Sequence, residues 1–416
     1  MRAVIAVRRS GGGFGWVLLA SSALLGACGG SKAPAGSPAS NDSSEEQGVE
    51  AQFEREAEPT QKHLVKVEGA FSAYIEAKSP PKLKLEPLGL TVTADLGWDA
   101  EVHCFVHKQV VDAGAAANSM LKAAAKTVKF KALAPYFLEH HALDPVLGIR
   151  GVYHVEREGT LMAGDFKLMA MPRPEHPVLC WHDAPGYAKS FARVSTEFAK
   201  SFQFKSEQPA PTRGELWAIT IDGTPVGFSR DTTYALDDGN VRRVSLGARF
   251  LPIAPGEMSF DDEAEIVTSD KDGALVSGKF LAIENGESSL EIDVERSKTG
   301  YNYVGTIQSK EVKGSFKSKQ ALKARYAAER KFKELARAGK KAKFEQWEYT
   351  PSIDAAQPSK VSYEVTSVDG GLTIVSTLGQ RGATLKTNAR GVVRQAVMSV
   401  GSRKIQIDLV EELGEL

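Results

Sequence analysis

The stretch LWAITIDGTPVGFSRD, residues 216–231, decides the fold of the second half of this chain. Trp217, Ile219 and Ile221 alternate with smaller or polar residues, the period of two expected of a strand. Asp222-Gly223 then supplies the positive φ angles of a tight hairpin turn, and a second strand runs from Pro225. The same grammar recurs downstream. Strand-like runs cover 241–251 and 262–269, turning at Asp272-Gly273, then 275–284, turning at Asn285-Gly286, then 289–295 and 302–308. Turn pairs at this spacing predict an up-and-down antiparallel meander. The pattern changes once, at 319–340, where Ala, Glu, Lys, Arg and Leu predict a long helix. Strands resume at 342–349, 361–368, 372–378, 382–387, 392–400 and 402–409. Residues 212–416 should therefore form a β-rich meander or half-barrel with one long helix.

That helix has one apolar stripe, Ala328, Phe332, Leu335 and Ala336, with Lys323, Arg330, Lys331, Lys333 and Arg337 on its other faces. A single stripe needs one partner, and the concave side of the sheet is the nearest. Phe332 and Leu335 are expected there beside Trp217, Ile219 and Trp347. These five residues are the candidate lining of an apolar ligand site. The alternatives are a filled core, or a basic helix lying on an anionic lipid surface.

The first half, 62–206, mixes strands and helices and should be an α/β sandwich, an antiparallel sheet packed with helices. The whole chain then belongs to the α+β class. Strand-like runs fall at 70–77, 88–94, 100–107, 149–156, 160–171 and 176–182, and helices at 115–128 and 186–204. In the second helix Tyr187, Phe191, Val194, Phe198 and Phe202 make one aromatic stripe that suits packing on a sheet. A polar, Pro-containing stretch at 205–214 separates the halves, and all eight histidines precede it.

The N-terminus carries a different signal. Arg2, Arg8 and Arg9 precede an apolar run at 17–25 that is too short to remain as a spanning helix. Leu25-Gly26-Ala27-Cys28 resembles the lipobox of bacterial lipoproteins. The resemblance implies that residues 1–28 are a signal, that Cys28 takes a diacylglycerol, and that its freed amine takes a third acyl chain such as palmitate. Gly29 in place of aspartate implies an outer-membrane protein facing the periplasm. Residues 29–61 are small, Pro-containing and then acidic, the composition of a disordered tether. In an oxidising exported compartment, the remaining pair, Cys104 and Cys180, reads as a disulfide.

Further resemblances follow from the second half. Residues 217–231, the stretch KFEQWEYTPSID at 343–354 with PSKVSYEV after it, and the closing run at 377–409 resemble the β-rich domain that precedes transglutaminase-like domains in some exported bacterial proteins. They are also similar to DUF3108 proteins and to the LolA/LolB-like half-barrel lipoprotein carriers. The element order of the first half resembles the PsbP-like α/β sandwich. These likenesses rest on turns and strand edges, and the transglutaminase-like chemistry of a neighbouring domain is not expected here.

Chemical motifs are sparse. Gly273 to Lys279 matches P-loop spacing, but Phe280 stands where Mg²⁺ needs a hydroxyl. The acidic run Asp261, Asp262, Glu263 and Glu265 lacks the spacing of a calcium loop and reads as a solvated strand face. His103 and His107, four apart on a strand, lie about 13 Å from one another, too far to share an ion. No catalytic residue, metal site or cofactor is expected. A net charge of zero argues against nucleic acid. The expected function is non-enzymatic: a membrane-anchored lipoprotein binding an apolar ligand, a lipid or acyl chain, or an envelope protein. The alternative is a structural or assembly lipoprotein without a ligand cavity. Labelled palmitate should be incorporated in cells and lost in Cys28→Ala; label persisting in that variant would overturn the lipoprotein reading.

Overall fold

A computed structural model describes residues 53–59, 61–97, 100–108, 113–157, 160–172, 176–204, 210–318 and 320–414. The signal, Cys28, most of the tether and residues 205–209 lie outside the described residues.

Residues 61–204 contain, in order, β1 (Gln61–Val67), β2 (Phe71–Ala77), β3 (Lys82–Glu86), β4 (Gly89–Gly97), β5 (Ala100–His107), α1 (Ala113–Ala124), β6 (Lys129–His141), β7 (Asp144–Arg157), β8 (Thr160–Met171), β9 (Val178–His182), α2 (Ala188–Lys200) and β10 (Gln203–Phe204). They build an antiparallel seven-stranded sheet, β3-β4-β5-β9-β8-β7-β6, and a small sheet, β1-β2-β10. The large sheet is buried on both faces, and β8 shows why. Met169 and Met171 point into one core with Phe191, Val194 and Phe198 of α2. Phe166, Leu168 and Ala170 point into a second core on the opposite face. A strand that is apolar on both sides makes a central layer. Cys104 and Cys180 face each other on β5 and β9 and are bonded, closing a separation of 76 residues. A loop of that length costs the unfolded chain roughly 4–5 kcal/mol in the entropy model.

The strands that local pattern misses are mostly edges. Strand β6 contains Pro135, and its register against β7 shifts between Pro135 and Phe137. Proline removes a ladder donor and is tolerated at an edge and beside a bulge, the position β6 holds. Strand β3 lies at the other edge, bounded by Pro81 and Pro87. The expected helix at 186–204 is shorter, because its last residues leave it to pair with β2 as β10.

Residues 213–413 form one antiparallel sheet of 14 strands. Its first meander is β11 (Arg213–Ile221), β12 (Thr224–Ala235), β13 (Val241–Ala254), β14 (Glu257–Ser269), β15 (Leu275–Glu284), β16 (Glu287–Arg296), β17 (Tyr301–Ile307) and β18 (Lys310–Phe316). After α3 (Tyr326–Ala338) comes the second, β19 (Ala342–Glu348), β20 (Ser359–Val368), β21 (Gly371–Leu378), β22 (Arg381–Thr387), β23 (Val393–Val400) and β24 (Arg403–Leu413). Pairing of β11 with β24, from Gly214 opposite Leu413 to Ile221 opposite Ile405, joins the two meanders. The run with P-loop spacing, residues 273–279, lies mostly within β15, and the next element is the strand β16.

The sheet does not close into a barrel; β18 and β19 are its outer strands. A short clamp instead ties the start of β15, three strands in from the β18 edge, to the β19 edge. The Leu275 N–H donates to the Leu322 carbonyl at 2.7 Å, Lys323 N–H to Trp347 O at 2.7 Å, and Ala324 N–H to Gly273 O at 2.8 Å. This clamp corrects the expected helix at 319–340. The backbone of 322–324 is committed to β15 and β19, so the helix begins only at Tyr326. It stops at Gly339, whose φ of 60° fits the left-handed turn that lets Gly339 and Lys340 N–H groups satisfy the last carbonyls. Gly391 touches the helix from outside. A Cβ there would lie 2.7 Å from the Phe332 carbonyl oxygen, so only glycine allows the contact.

The two halves share a core. Leu133, Leu147, Ile149, Phe166 and Leu168 of the seven-stranded sheet pack against Leu216, Phe228, Phe250 and Phe260 of the 14-stranded one. The N-terminus of α1 is capped from the other half. The Asp262 carboxylate accepts from the Gly114 and Ala115 N–H groups, each at 2.9 Å. An anion at that helix end satisfies orphan donors and complements the helix dipole. Arg230 pairs with Asp144 at 2.7 Å across the same boundary.

Two substitutions test this packing. Phe332→Ala should destabilise by about 3–5 kcal/mol, as expected for removing a buried ring; an unchanged denaturation midpoint would place the helix away from the sheet. Asp262→Ala should cost about 0.5–2 kcal/mol by loss of a cap, read by urea unfolding of the intact protein.

Candidate functional site

The concave side of the 14-stranded sheet divides into an apolar and a polar half. Four of the five residues singled out from sequence meet in the apolar half. Trp217, Ile219, Phe332 and Leu335 belong to one core with Val361, Tyr363, Val365 and Ile374. The Phe332 ring centre lies 5.4 Å from that of Tyr363 and 6.1 Å from that of Phe344. Helix α3 thus fills this half of the sheet's inner face with its own apolar stripe. Trp347 is not brought to this group. It packs, half-buried, against the core of Val267, Phe280 and Tyr349 at the other end of the sheet.

The polar half follows from register. Glu215 of β11 stands opposite Asp231 of β12, Asp231 opposite Ser245 of β13, and Ser245 opposite Glu265 of β14. Cross-strand partners share a face, so a row of polar side chains runs over four strands toward the helix. Glu329 of α3 meets them. Arg213 donates to Glu329 at 3.1 Å and also bonds Glu215; Arg243 donates to Glu329 at 3.3 Å and to Asp231 at 2.9 Å. Ser245 donates to Asp231 as well. Further along the same face Arg249 pairs with Glu263.

The carboxyls of this network are pushed in opposite directions. Burial works to raise Glu329, but Arg243 and Arg213 outweigh it and hold its pKa at about 2. Burial, then the charge of Glu329, pushes Glu215 upward although Arg213 opposes the rise. Burial pushes Glu265 up to about 8, and Arg243 only partly offsets it. Glu348, at the end of β19, is also raised by burial, while Gln346 and Tyr363 hydrogen bonds favour its charge.

Between the polar row and the clamp lies a cavity of about 70 Å³. Arg243, Glu265 and Glu348 line it together with Phe280, Tyr326 and Tyr349, and Phe280 is the cross-strand neighbour of Glu265 on the same face of the sheet. The cavity is well below the roughly 300–1,000 Å³ of drug-sized ligand pockets, but exceeds the space of a single water. Glu265 lies deep in the protein, and it keeps accessible surface where it borders the cavity. Among the described residues its carboxyl forms no hydrogen bond and no close ion pair. A neutral Glu265 can donate a proton to a guest, and an ionised one can balance a cation.

Sequence reading missed this half. The acidic run was expected to be a solvated strand face. Instead Glu263 and Glu265 face the enclosed interior, and Asp262, on the other face, caps α1. The detectable signal was matching parity: Arg213, Glu215, Asp231, Arg243, Ser245, Glu263 and Glu265 align only when the hairpin registers are known.

No protein-family profile matches this chain, and no curated protein matches it. Two solved structures are similar to its fold in part. A beta-barrel-like protein of the domain of unknown function DUF1849 from Brucella abortus is 13% identical, with a TM-score of 0.39 over 49% of this chain and 97% of its own. A DUF1089 family protein from Pseudomonas aeruginosa is 12% identical, with a TM-score of 0.23 over 46% of this chain and 92% of its own.

Proposed function

We propose that this chain is a non-enzymatic, lipid-anchored protein of the cell envelope that binds a small polar ligand in its β-rich half. One observation carries the reading: α3 fills the apolar half of the concave face, while the polar half retains a cavity bordered by Glu265, whose carboxyl has no protein partner among the described residues. Glu265 keeps surface toward the cavity, so its carboxyl is free to meet a polar guest there. The fully packed Phe332 and Leu335 weigh against an acyl chain as the occupant. The lipid anchor and periplasmic orientation rest on the lipobox resemblance, and the anchor supplies the membrane contact.

Native mass spectrometry of protein purified from membranes tests the reading. A polar adduct of small mass, or an empty chamber that accepts one, is expected. An acyl chain retained stoichiometrically by Cys28→Ala would overturn it in favour of a lipid carrier.

The acid itself makes a pH prediction. The Glu265 pKa is raised on folding, so the folded protein holds more protons than the unfolded chain between the ordinary carboxylate range and about 8. Its contribution to stability is fully present at low pH and is lost as pH rises through that window. Urea midpoints of the native protein should therefore fall relative to those of Glu265→Gln between pH 5 and 8. Parallel profiles would show that Glu265 does not titrate there.

A further inference from the structure

We propose that the chamber takes a small uncharged carboxamide group, held through its C=O and N–H by the Glu265 carboxyl. The inference rests on the ligand-binding reading above and names the ligand's chemistry.

Unmet hydrogen-bonding capacity, rather than charge, singles out this guest. The lining carries both signs, Glu263, Glu265 and Glu348 with Arg243, Lys323 and Arg325, so it does not select an ion of either sign. Most of these groups are already engaged. Glu263 bonds Arg249, Glu348 accepts from Gln346 and Tyr363, and Arg243 donates to Asp231 and Glu329. Lys323 keeps its charge and directs it to the Asp272 carbonyl in an exposed bond. Glu265 is the lining carboxyl left without a partner among the described residues. Val267, Leu275, Phe280 and Leu290 make up part of the remaining wall. An ion entering beside them would lose its hydration, whereas an uncharged amide loses far less.

A protonated Glu265 offers an O–H donor and a C=O acceptor on one carbon. A carboxamide offers the reciprocal pair, so the two can join by two parallel hydrogen bonds. An ammonium offers donors only and a carboxylate acceptors only, and each leaves half of the pair unmet. Burial favours the protonated form, pushing Glu265 up to about 8. Asp231 of β12 and Glu348 of β19 push in the same direction; Arg243 of β13 and Arg325, just ahead of α3, oppose them. Glu263 and Lys323 are the other charged groups on the lining, and the neighbour on β15 is the uncharged Phe280. Once ionised, Glu265 can only accept, and it repels the amide oxygen. Volume sets the size. An engineered apolar cavity of about 150 Å³ holds benzene. One of about 70 Å³ therefore limits the guest to about three or four heavy atoms, the size of acetamide.

The test is a ligand-observed NMR titration of the intact protein with acetamide, acetate and methylammonium. At pH 6 acetamide should bind saturably, and neither ion should compete with it. Its affinity should fall by up to about ten-fold at pH 9, where an acid of pKa about 8 is mostly ionised. Glu265→Gln carries its own amide donor and acceptor, and should keep acetamide binding while making it independent of pH. Glu265→Leu, similar in size but without polar atoms, should weaken binding by about ten-fold or more, as expected for losing both hydrogen bonds. Glu348→Gln should keep the fall and move it to lower pH, because Glu348 pushes Glu265 upward; it supplies a second reading should a Glu265 variant not fold. Acetamide binding that is absent in the native protein, unchanged in Glu265→Leu, or still pH-dependent in Glu265→Gln would overturn the proposal. Binding of acetate or methylammonium in place of acetamide would overturn the amide assignment but leave the polar-ligand reading standing. An acyl chain found in the chamber would remove both.

Discussion

The pairing of β11 with β24 is the constraint on which the β-rich half depends. Without it the chain would hold two separate meanders, each with its own exposed edges, and the concave face that receives α3 would not exist. The seam joins the start of the region to its end, so it closes a loop of nearly the whole half. Such non-local pairing is entropically slow to form. Once made, it sets Trp217 and Ile219 of β11 and Ile407 of β24 into the same core as α3. The clamp at 322–324 completes the curvature by tying β15 to β19 through backbone bonds, which do not depend on side-chain identity.

The interior charges do not simply add stability. Desolvating a carboxylate and a guanidinium costs several kcal/mol per ion, repaid only when geometry and further hydrogen bonds are good. Arg243, Glu329 and Asp231 satisfy that condition between them, with Ser245 adding a donor, whereas Arg213 bonds Glu329 and Glu215 but leaves its buried Nε–H without a partner. They also fix where the helix lies, because Glu329 must reach two arginines on different strands. An apolar stripe alone would tolerate sliding of α3 along the sheet; two directional ion pairs do not. Glu265 stands outside this closed set, and that asymmetry separates a structural network from a candidate binding position.

Much of the architecture was legible locally. Alternation and the Asp-Gly and Asn-Gly turns mark nearly all strands of the second half, and the stripe of Phe332 and Leu335 marks the face that α3 buries. The Cys104–Cys180 pair could be read from compartment chemistry. What failed depended on distant partners. Strands β3, β6 and β18 are edges, where proline, lysine and glycine weaken the local pattern. The first residues of the expected helix were taken by the clamp, which joins residues far apart in sequence. Trp347 has the composition of a core residue, but strand parity sends it to a different core from Trp217. The polar row was invisible for the same reason, since each member looks like an ordinary surface charge on its own strand.

The cap that Asp262 places on α1 has a consequence for the order in which the molecule can assemble. A ribosome delivers the first half before the second. Until residues 213–269 are made, the seven-stranded sheet has Phe166, Leu168 and Ile149 on a bare face, and α1 begins without its cap. The early half therefore keeps apolar surface open, covered only in part by α1, until the second half packs on it, and surface of that kind favours aggregation while it is exposed.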